Sequence, residues 1–324
     1  PGGLPRGMLS LLGAAPGAGK SLVALDLARR VIHREPFPDS ARRADALEDA
    51  SRAETATFPG GNVVFVDAEA VPQIQNERAS AWGMDRSKLY LMLPKDQYGL
   101  IDFNDTTDQD RLLEMVFELQ PHLLVVDSLS SITLKGENNV EDVRAVLSFL
   151  SAVAREFDLA LLLIHHLRKR GKALPMMDLV TADDFRGSSH IIAMARSVLA
   201  LSIIQDGPEP DRNGPRRLEV VKTNLCRYPP ALGVRFEDNG QAAPEIRYGE
   251  VPKPHREPTK AEACANWLLE LLQEVGEPMQ PKEVIELGKE YGFKQATIYR
   301  VRKELEGTVV NTAGKKVRGN SWEY

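Results

Sequence analysis

Residues 13–21 read GAAPGAGKS. Upstream, Met8–Leu12 is a short apolar run that suits a strand. Downstream, Ser21–His33 carries apolar residues at 22, 23, 25, 27, 28, 31 and 32, the spacing of an amphipathic helix. Strand, glycine-rich turn, Lys-Ser and helix make a phosphate-binding loop. Such a loop turns its backbone N–H groups toward an anion, so bulky side chains must be absent, and Gly17, Ala18 and Gly19 satisfy that need. The Lys20 ammonium is placed for the β- and γ-phosphates and the Ser21 hydroxyl for Mg²⁺, while the helix adds the positive end of its dipole. The expected ATP-binding set is Ala14, Ala15, Pro16, Gly17, Ala18, Gly19, Lys20, Ser21 and Leu22. One position departs from GxxxxGK[ST]: Ala14 stands where the first glycine belongs, which requires an ordinary negative φ there.

Outward from this loop, apolar runs at Asn62–Asp67, His122–Asp127, Leu159–His165, Val198–Ile203 and Leu218–Thr223 read as strands. Val140–Phe157 is an amphipathic helix with Val143, Val146, Leu147, Leu150, Val153 and Ala154 on one face. Apolar strands separated by helices predict an α/β fold, a P-loop NTPase with a mostly parallel sheet covered on both faces. Residues 34–61 interrupt the pattern with an Ala/Arg/Asp/Glu-rich stretch that reads as a surface insertion. Residues 249–258, GEVPKPHREP, have linker composition. Beyond them come three short helices, Lys260–Glu274, Pro281–Tyr291 and Lys294–Leu305, and a hairpin-like stretch around Gly314. The expected organisation is an ATPase domain over 1–248, a linker over 249–258 and a small winged helix-turn-helix domain over 259–324.

The 324 residues suffice for two such domains. Forty-one Lys and Arg against 46 Asp and Glu leave a net charge of −5, which excludes a protein that coats nucleic acid by bulk charge. Any basic surface must therefore be local. The longest apolar runs fall far short of the roughly 20 residues of a membrane helix. Cys226 and Cys264 cannot by themselves build a disulfide framework or a zinc cage. The composition reads as cytoplasmic, and a chain that opens on Pro1 with no secretory signal reads as a fragment of a longer one.

Several strand ends carry chemistry. LLVVDS at 123–128 ends in Asp127, which would hold Mg²⁺ through water. VVFVDAE at 63–69 ends in Glu69, expected to orient and deprotonate the attacking water, with Asp67 structural. LLLIHH at 161–166 puts two histidines at a strand end, where a metal site would lack a third donor. In a P-loop fold that end faces the γ-phosphate, and His166 is expected to hydrogen-bond it and report its loss.

With these residues in place, the chain resembles the RecA-like ATPases, and within them plasmid replicative helicases of the RepA type and related phage AAA_25 proteins. GAAPGAGKS, VVFVDAE, LLVVDSLSSI, LLLIHHLRK, FRGSSHIIAMARSVLAL and VVKTN occur in that family's order over roughly residues 7–236. DnaB-type helicases share the fold and also carry alanine at the position of Ala14. The resemblance implies a homohexameric ring with ATP between subunits, and a cation donated in trans to the γ-phosphate. In RGSSHIIAMAR it points to Arg196 as that finger, with Lys222 of VVKTN a second trans candidate. Arg186 and Arg227 remain alternatives. DnaB-type proteins have Lys-x-Arg at this strand end, whereas Asn224 follows here, so the finger role is not moved there.

Two places could meet DNA, single-stranded or double-stranded. Arg168, Lys169, Arg170 and Lys172 follow the histidine strand directly; a loop there lines the channel of RecA-like rings and would touch phosphates without reading bases. Its attachment to His166 would let loss of the γ-phosphate move it. In the carboxy-terminal domain, KQATIYRVRK would be the recognition helix, with Gln295, Thr297 and Arg300 on its leading turns, Lys315 and Lys316 in the hairpin, and Ala296, Ile298, Val301 and Leu305 as its core face. A hexameric DNA-dependent ATPase acting as a replicative helicase of a plasmid, phage or mobile element is the leading reading. An ATP-switched DNA-binding regulator or assembly factor is the alternative, and a filament-forming recombination protein the third.

Overall fold

Along the strand Met8–Ala14 (β1), Leu9 and Leu11 face one core and Leu12 and Ala14 the other. The period of two that strand geometry imposes thus divides one apolar run between two layers. The same division recurs in Val63–Asp67 (β2), Leu123–Asp127 (β4) and Ala160–His166 (β5), each buried along nearly its whole length. The shorter β3, Leu89–Met92, comes between β2 and β4 in the chain and pairs with β2 at the edge of the sheet. Helix Lys20–His33 (α1) covers one face, while helices Thr106–Leu119 (α3), Val140–Glu156 (α4) and Ser189–Met194 (α5) contribute to the other. Helix Pro72–Ala81 (α2) follows β2 in the chain.

The computed structural model describes residues 4–38, 60–67, 72–95, 100–133, 139–167, 180–185, 189–204, 211–252, 260–305, 308–311 and 321–323. The main sheet runs β3-β2-β4-β5-β1-β6-β7-β8-β9, with β6 at Ser197–Ile203, β7 at Arg216–Thr223, β8 at Leu232–Glu237 and β9 at Glu245–Gly249. From β3 to β6 every pairing is parallel, and from β6 to β9 every pairing is antiparallel. This is the expected α/β fold, with β3, β8 and β9 added beyond the strands the sequence marks. In such sheets ligands collect beyond the carboxyl ends of the parallel strands. Ala14, Asp67, Asp127 and His166 all end strands at that edge. Of the 34–61 insertion, 39–59 lie outside the described residues.

On α1, Asp26 is 2% exposed yet satisfied. Arg29 and Arg30 pair with its two oxygens at 2.8 Å each, and the Tyr248 hydroxyl donates to it at 2.8 Å. Burial and the adjacent carboxylate push that hydroxyl well above tyrosine's usual range. The helix that starts at the phosphate loop is therefore tied to β9 by a buried, hydrogen-bonded charge cluster.

The chain divides at His255/Arg256 into two compact units. The smaller contains helices Lys260–Val275 (α6), Pro281–Glu290 (α7) and Gln295–Glu304 (α8) around Cys264, Leu268, Leu272, Val284, Ile298 and Val301. Pro281 opens α7, where a missing N–H costs nothing. Gly292 makes the turn into α8 at φ 78°. Val310–Asn311 (β10) pairs antiparallel with Trp322–Glu323 (β11), and Met279 bridges to Trp322. Ala296 does not belong to the core face of α8, because it is exposed. At about 100° per residue it lies roughly 200° around the helix from Ile298, whereas Ile298, Val301 and Leu305 follow the i, i+3, i+7 stripe.

Candidate functional site

β1 ends at Ala14 and the chain turns through residues 15–19 into α1. Gly17 and Gly19 make this turn at φ 76° and 98°, the left-handed region that other L residues avoid. Ala14 is not among the residues with positive φ, so a methyl group fits where the general pattern has glycine. Gly19 has a second constraint. A Cβ there would lie 2.1 Å from the Phe236 ring, which comes from β8 and carries the buried Arg216 guanidinium 4.6 Å from its centroid. Gly13 is crowded similarly by Phe185, 2.3 Å from a notional Cβ.

Lys20, the first residue of α1, is 7% exposed. Its ammonium reaches the Ala14 and Ala15 carbonyls at 3.4 Å and His166 Nδ1 at 3.5 Å. Beside it, the Ser21 hydroxyl donates to Asp127 Oδ2 at 2.5 Å, joining α1 to the end of β4. A hydroxyl and a largely buried carboxylate are hard oxygen donors, the kind Mg²⁺ takes when phosphates supply its remaining oxygens. The residues present therefore fit the ion: Ser21 would ligate it and Asp127 would hold it through water. Among the described residues no group of three or more His, Cys, Asp or Glu forms a metal cage, so the His165–His166 pair has no third donor there.

The other ring nitrogen of His166 lies 3.5 Å from Ser128 Oγ, which in turn meets Ser130 Oγ at 2.8 Å and Ser131 Oγ at 3.2 Å. An ammonium can only donate, so Nδ1 accepts from Lys20 and Nε2 carries the proton toward Ser128. His165 points into the core, fully buried and stacked with Phe185 at 6.1 Å. Asp67 is buried at the edge in register with Asp127, where it accepts from Gln75 Nε2 at 3.1 Å. After His166, Leu167 bridges to Phe185, and Val180 N–H donates to Ser202 Oγ at 3.1 Å. Residues on both sides of the basic stretch are thus anchored at the sheet.

Arg196 lies elsewhere. Its N–H donates to the Leu9 carbonyl at 3.0 Å, five residues before Ala14 on a parallel neighbour. At roughly 3.3 Å per residue, about 17 Å of sheet separates it from the phosphate loop of its own chain. Its side chain is exposed, and among the described residues no carboxylate pairs with it. Lys222 sits at the same edge with its ammonium on the carbonyls of Ile192, Ala193 and Ala195.

In the smaller unit, Gln295 and Arg300 are exposed on α8, and Thr297 is half-buried because it precedes Val301 by one turn. Tyr299, not singled out by sequence, is 46% exposed beside them, edge-on to Trp322 at 5.5 Å. Glu69, Arg168, Lys169, Arg170, Lys172, Arg186, Lys315 and Lys316 lie outside the described residues. Ser128, Phe185 and Phe236 were also missed, since the contacts that bring them to the site, Ser128 with His166, Phe185 with Gly13 and Phe236 with Gly19, reach across the sheet and leave no local signal.

A family model described as AAA_25, an AAA domain, matches residues 1–172, more than half of the chain. The chain belongs to this family. Membership agrees with a phosphate loop, an acid-ended strand and a His-ended strand meeting at one edge, and it makes this AAA_25 chain a P-loop ATPase. DNA repair protein RadA of Mycobacterium tuberculosis, in strains H37Rv and CDC 1551, is 26% identical over 174 residues, 52% of this chain. The matched stretch spans 29% of the relative's length. Among solved structures, a KaiC-like protein of Pyrococcus horikoshii OT3 aligns at TM-score 0.49 and 18% identity, over 75% of this chain and 90% of its own. The RadB recombinase aligns at TM-score 0.44 and 16% identity, over 72% and 89%. No described helix is long and apolar enough to cross a membrane.

Proposed function

We propose that this AAA_25 chain is an ATP-driven, DNA-dependent motor of the hexameric helicase type, hydrolysing ATP at a seam between two copies. One observation carries the reading. The phosphate loop, Ser21, Asp127 and His166 gather at the carboxyl edge of the sheet, while the exposed Arg196 stands at the opposite edge of the same chain. Arg196 is too far to serve its own site, which supports a role at the site of the next copy in a head-to-tail ring. Leu225 and Tyr228, 41% and 61% exposed just beyond β7, give that edge an apolar surface suited to a protein contact.

In this reading Lys20 holds the β- and γ-phosphates and Arg196 of the next copy neutralises charge on the transferring phosphoryl group. Mg²⁺ would supply further charge neutralisation there. Glu69 activates water. When the γ-phosphate leaves, His166 loses a partner and shifts with β5, and the basic stretch Arg168–Lys172 moves along a DNA strand. DNA as partner is supported by that cluster and by the DNA repair role in the name of the 26% identical relative. Forked-duplex unwinding tests the proposal: strand separation with ATP should be abolished by Lys20→Ala and by Arg196→Ala. Full hydrolysis without unwinding or translocation on any substrate would overturn it.

A second reading, an ATP-switched DNA-binding regulator, is favoured by the smaller unit. Gln295, Tyr299 and Lys303 are exposed at i, i+4 and i+8 on α8, with Arg300 alongside, as on a recognition helix of a winged helix-turn-helix. Sequence-selective duplex binding by the full chain, without unwinding, would support that reading.

A further inference from the structure

Lys222 and Arg196 share the amino edge of the sheet but are held in opposite ways. Arg196 is exposed, and among the described residues only its backbone is tied down: its N–H donates to Leu9 at 3.0 Å and its carbonyl accepts from Asn224 N–H at 3.3 Å. Lys222 is turned inward. Its ammonium donates to Ile192 at 2.6 Å, Ala195 at 3.0 Å and Ala193 at 3.3 Å. An ammonium has three protons, and here three carbonyls of one turn receive them. These carbonyls close α5, a helix of six residues, where intrahelical donors run out and a cation meets the negative end of the dipole. The turn they close leads directly into Arg196.

We infer that Lys222 is a positioning residue for Arg196: by clamping the end of α5 it fixes the backbone from which the guanidinium reaches the nucleotide of the next copy. The inference rests on the trans reading above. For Lys222 to touch a phosphate instead, its ammonium would have to leave all three carbonyls at once. Burial first, and then the nearby Arg196 charge, pull the ammonium below lysine's usual range.

The test is steady-state ATP hydrolysis by the full chain on saturating single-stranded DNA, with Lys222→Met, Lys222→Arg, Arg196→Ala and the Lys222→Met/Arg196→Ala double variant. Arg196→Ala should lower kcat by about 10³-fold, the scale of an arginine finger. Lys222→Met should lower kcat by about ten-fold or more with KM for ATP held within about two-fold, and Lys222→Arg should restore most of it. The double variant should match Arg196→Ala alone, because a positioner has nothing left to position. Amide exchange over residues 190–197 should quicken in Lys222→Met, recover in Lys222→Arg and stay unchanged over the phosphate loop. If circular dichroism shows Lys222→Met unfolded, Lys222→Gln, which keeps a donor, takes its place. A double variant that falls multiplicatively below Arg196→Ala would place Lys222 on the phosphate, and a fully active Lys222→Met would make the clamp irrelevant; either overturns the inference alone. A fully active Arg196→Ala removes the trans reading and the inference together.

Discussion

Lys20 and His166, 146 residues apart, meet at 3.5 Å between Nζ and Nδ1. The contact joins the lysine proposed to hold phosphate to the end of the strand that the basic stretch follows in sequence. An incoming γ-phosphate would compete for the Lys20 ammonium and leave His166 Nδ1 to find another partner, while Ser128 still engages Nε2. His166→Ala should therefore leave ATP affinity within about three-fold yet lower DNA-stimulated kcat by about 10²-fold, the loss typical of one donor aimed at developing charge. Equilibrium binding of a fluorescent ATP analogue, beside turnover with and without single-stranded DNA, separates the two effects. Equal losses in binding and turnover would show that His166 merely supports the loop.

Gly13 and Phe185 make a second, purely steric prediction. Gly13 has no positive φ, so it is the ring 2.3 Å from its notional Cβ, not the backbone conformation, that opposes a side chain. Gly13→Ala should cost about 1–3 kcal/mol by overpacking. Adding Phe185→Leu, which can bend away, should recover about half of that, and denaturant midpoints of the four proteins in the cycle measure it. Additive losses would mean that the backbone of β1, not the ring, is the constraint.

Gly19 differs because two costs act together. At φ 98° an alanine is strained by about 1–2 kcal/mol, and its methyl group would also meet the Phe236 ring at 2.1 Å. Gly19→Ala should abolish nucleotide retention. Combining it with Phe236→Ala should recover stability in part but not nucleotide binding, since φ still resists the loop conformation. Thermal midpoints and nucleotide titration, run together, distinguish the two outcomes.

The contrast between Gly19 and Phe236 also shows what a sequence can reveal. β1, β2, β4 and β5 were legible because burial on both faces demands unbroken apolar runs, and Lys20, Ser21, Asp127 and His166 were legible because their motifs sit at the ends of those runs. LGVRFE and EIRYG, which form β8 and β9, mix charges among their apolar residues and carry no comparable mark. Helix Thr106–Leu119 did have a signal: Asp105 caps it by accepting from Thr107 N–H at 2.8 Å, with Leu112 and Val116 one turn apart on its buried face. Phe185, Phe236 and Ser128 had none, since each acts on a residue far away in the chain. The inward turn of Lys222 depends on where α5 ends, which only the folded backbone specifies.

The edge opposite the phosphate loop carries a pH-sensitive histidine. His122, just before β4, is crowded against Gly61, whose notional Cβ would lie 2.0 Å from its ring. Burial first, and then the charges of Arg6 and Arg34, hold its imidazole below histidine's usual range, while Asp158 pulls weakly the other way. The unfolded chain therefore takes up this proton at a higher pH than the folded chain. Between those two values the unfolded state binds more protons, so stability falls as pH drops through histidine's ordinary range and levels off once the folded state is protonated too. Thermal midpoints measured from pH 7.5 down to about pH 5 should decline, and His122→Gln should flatten that decline without altering the plateau near neutrality. Raising the salt concentration should shrink the effect in part, because the arginine contribution is screened and the burial contribution is not. An unchanged slope in His122→Gln would assign the acid sensitivity to other groups.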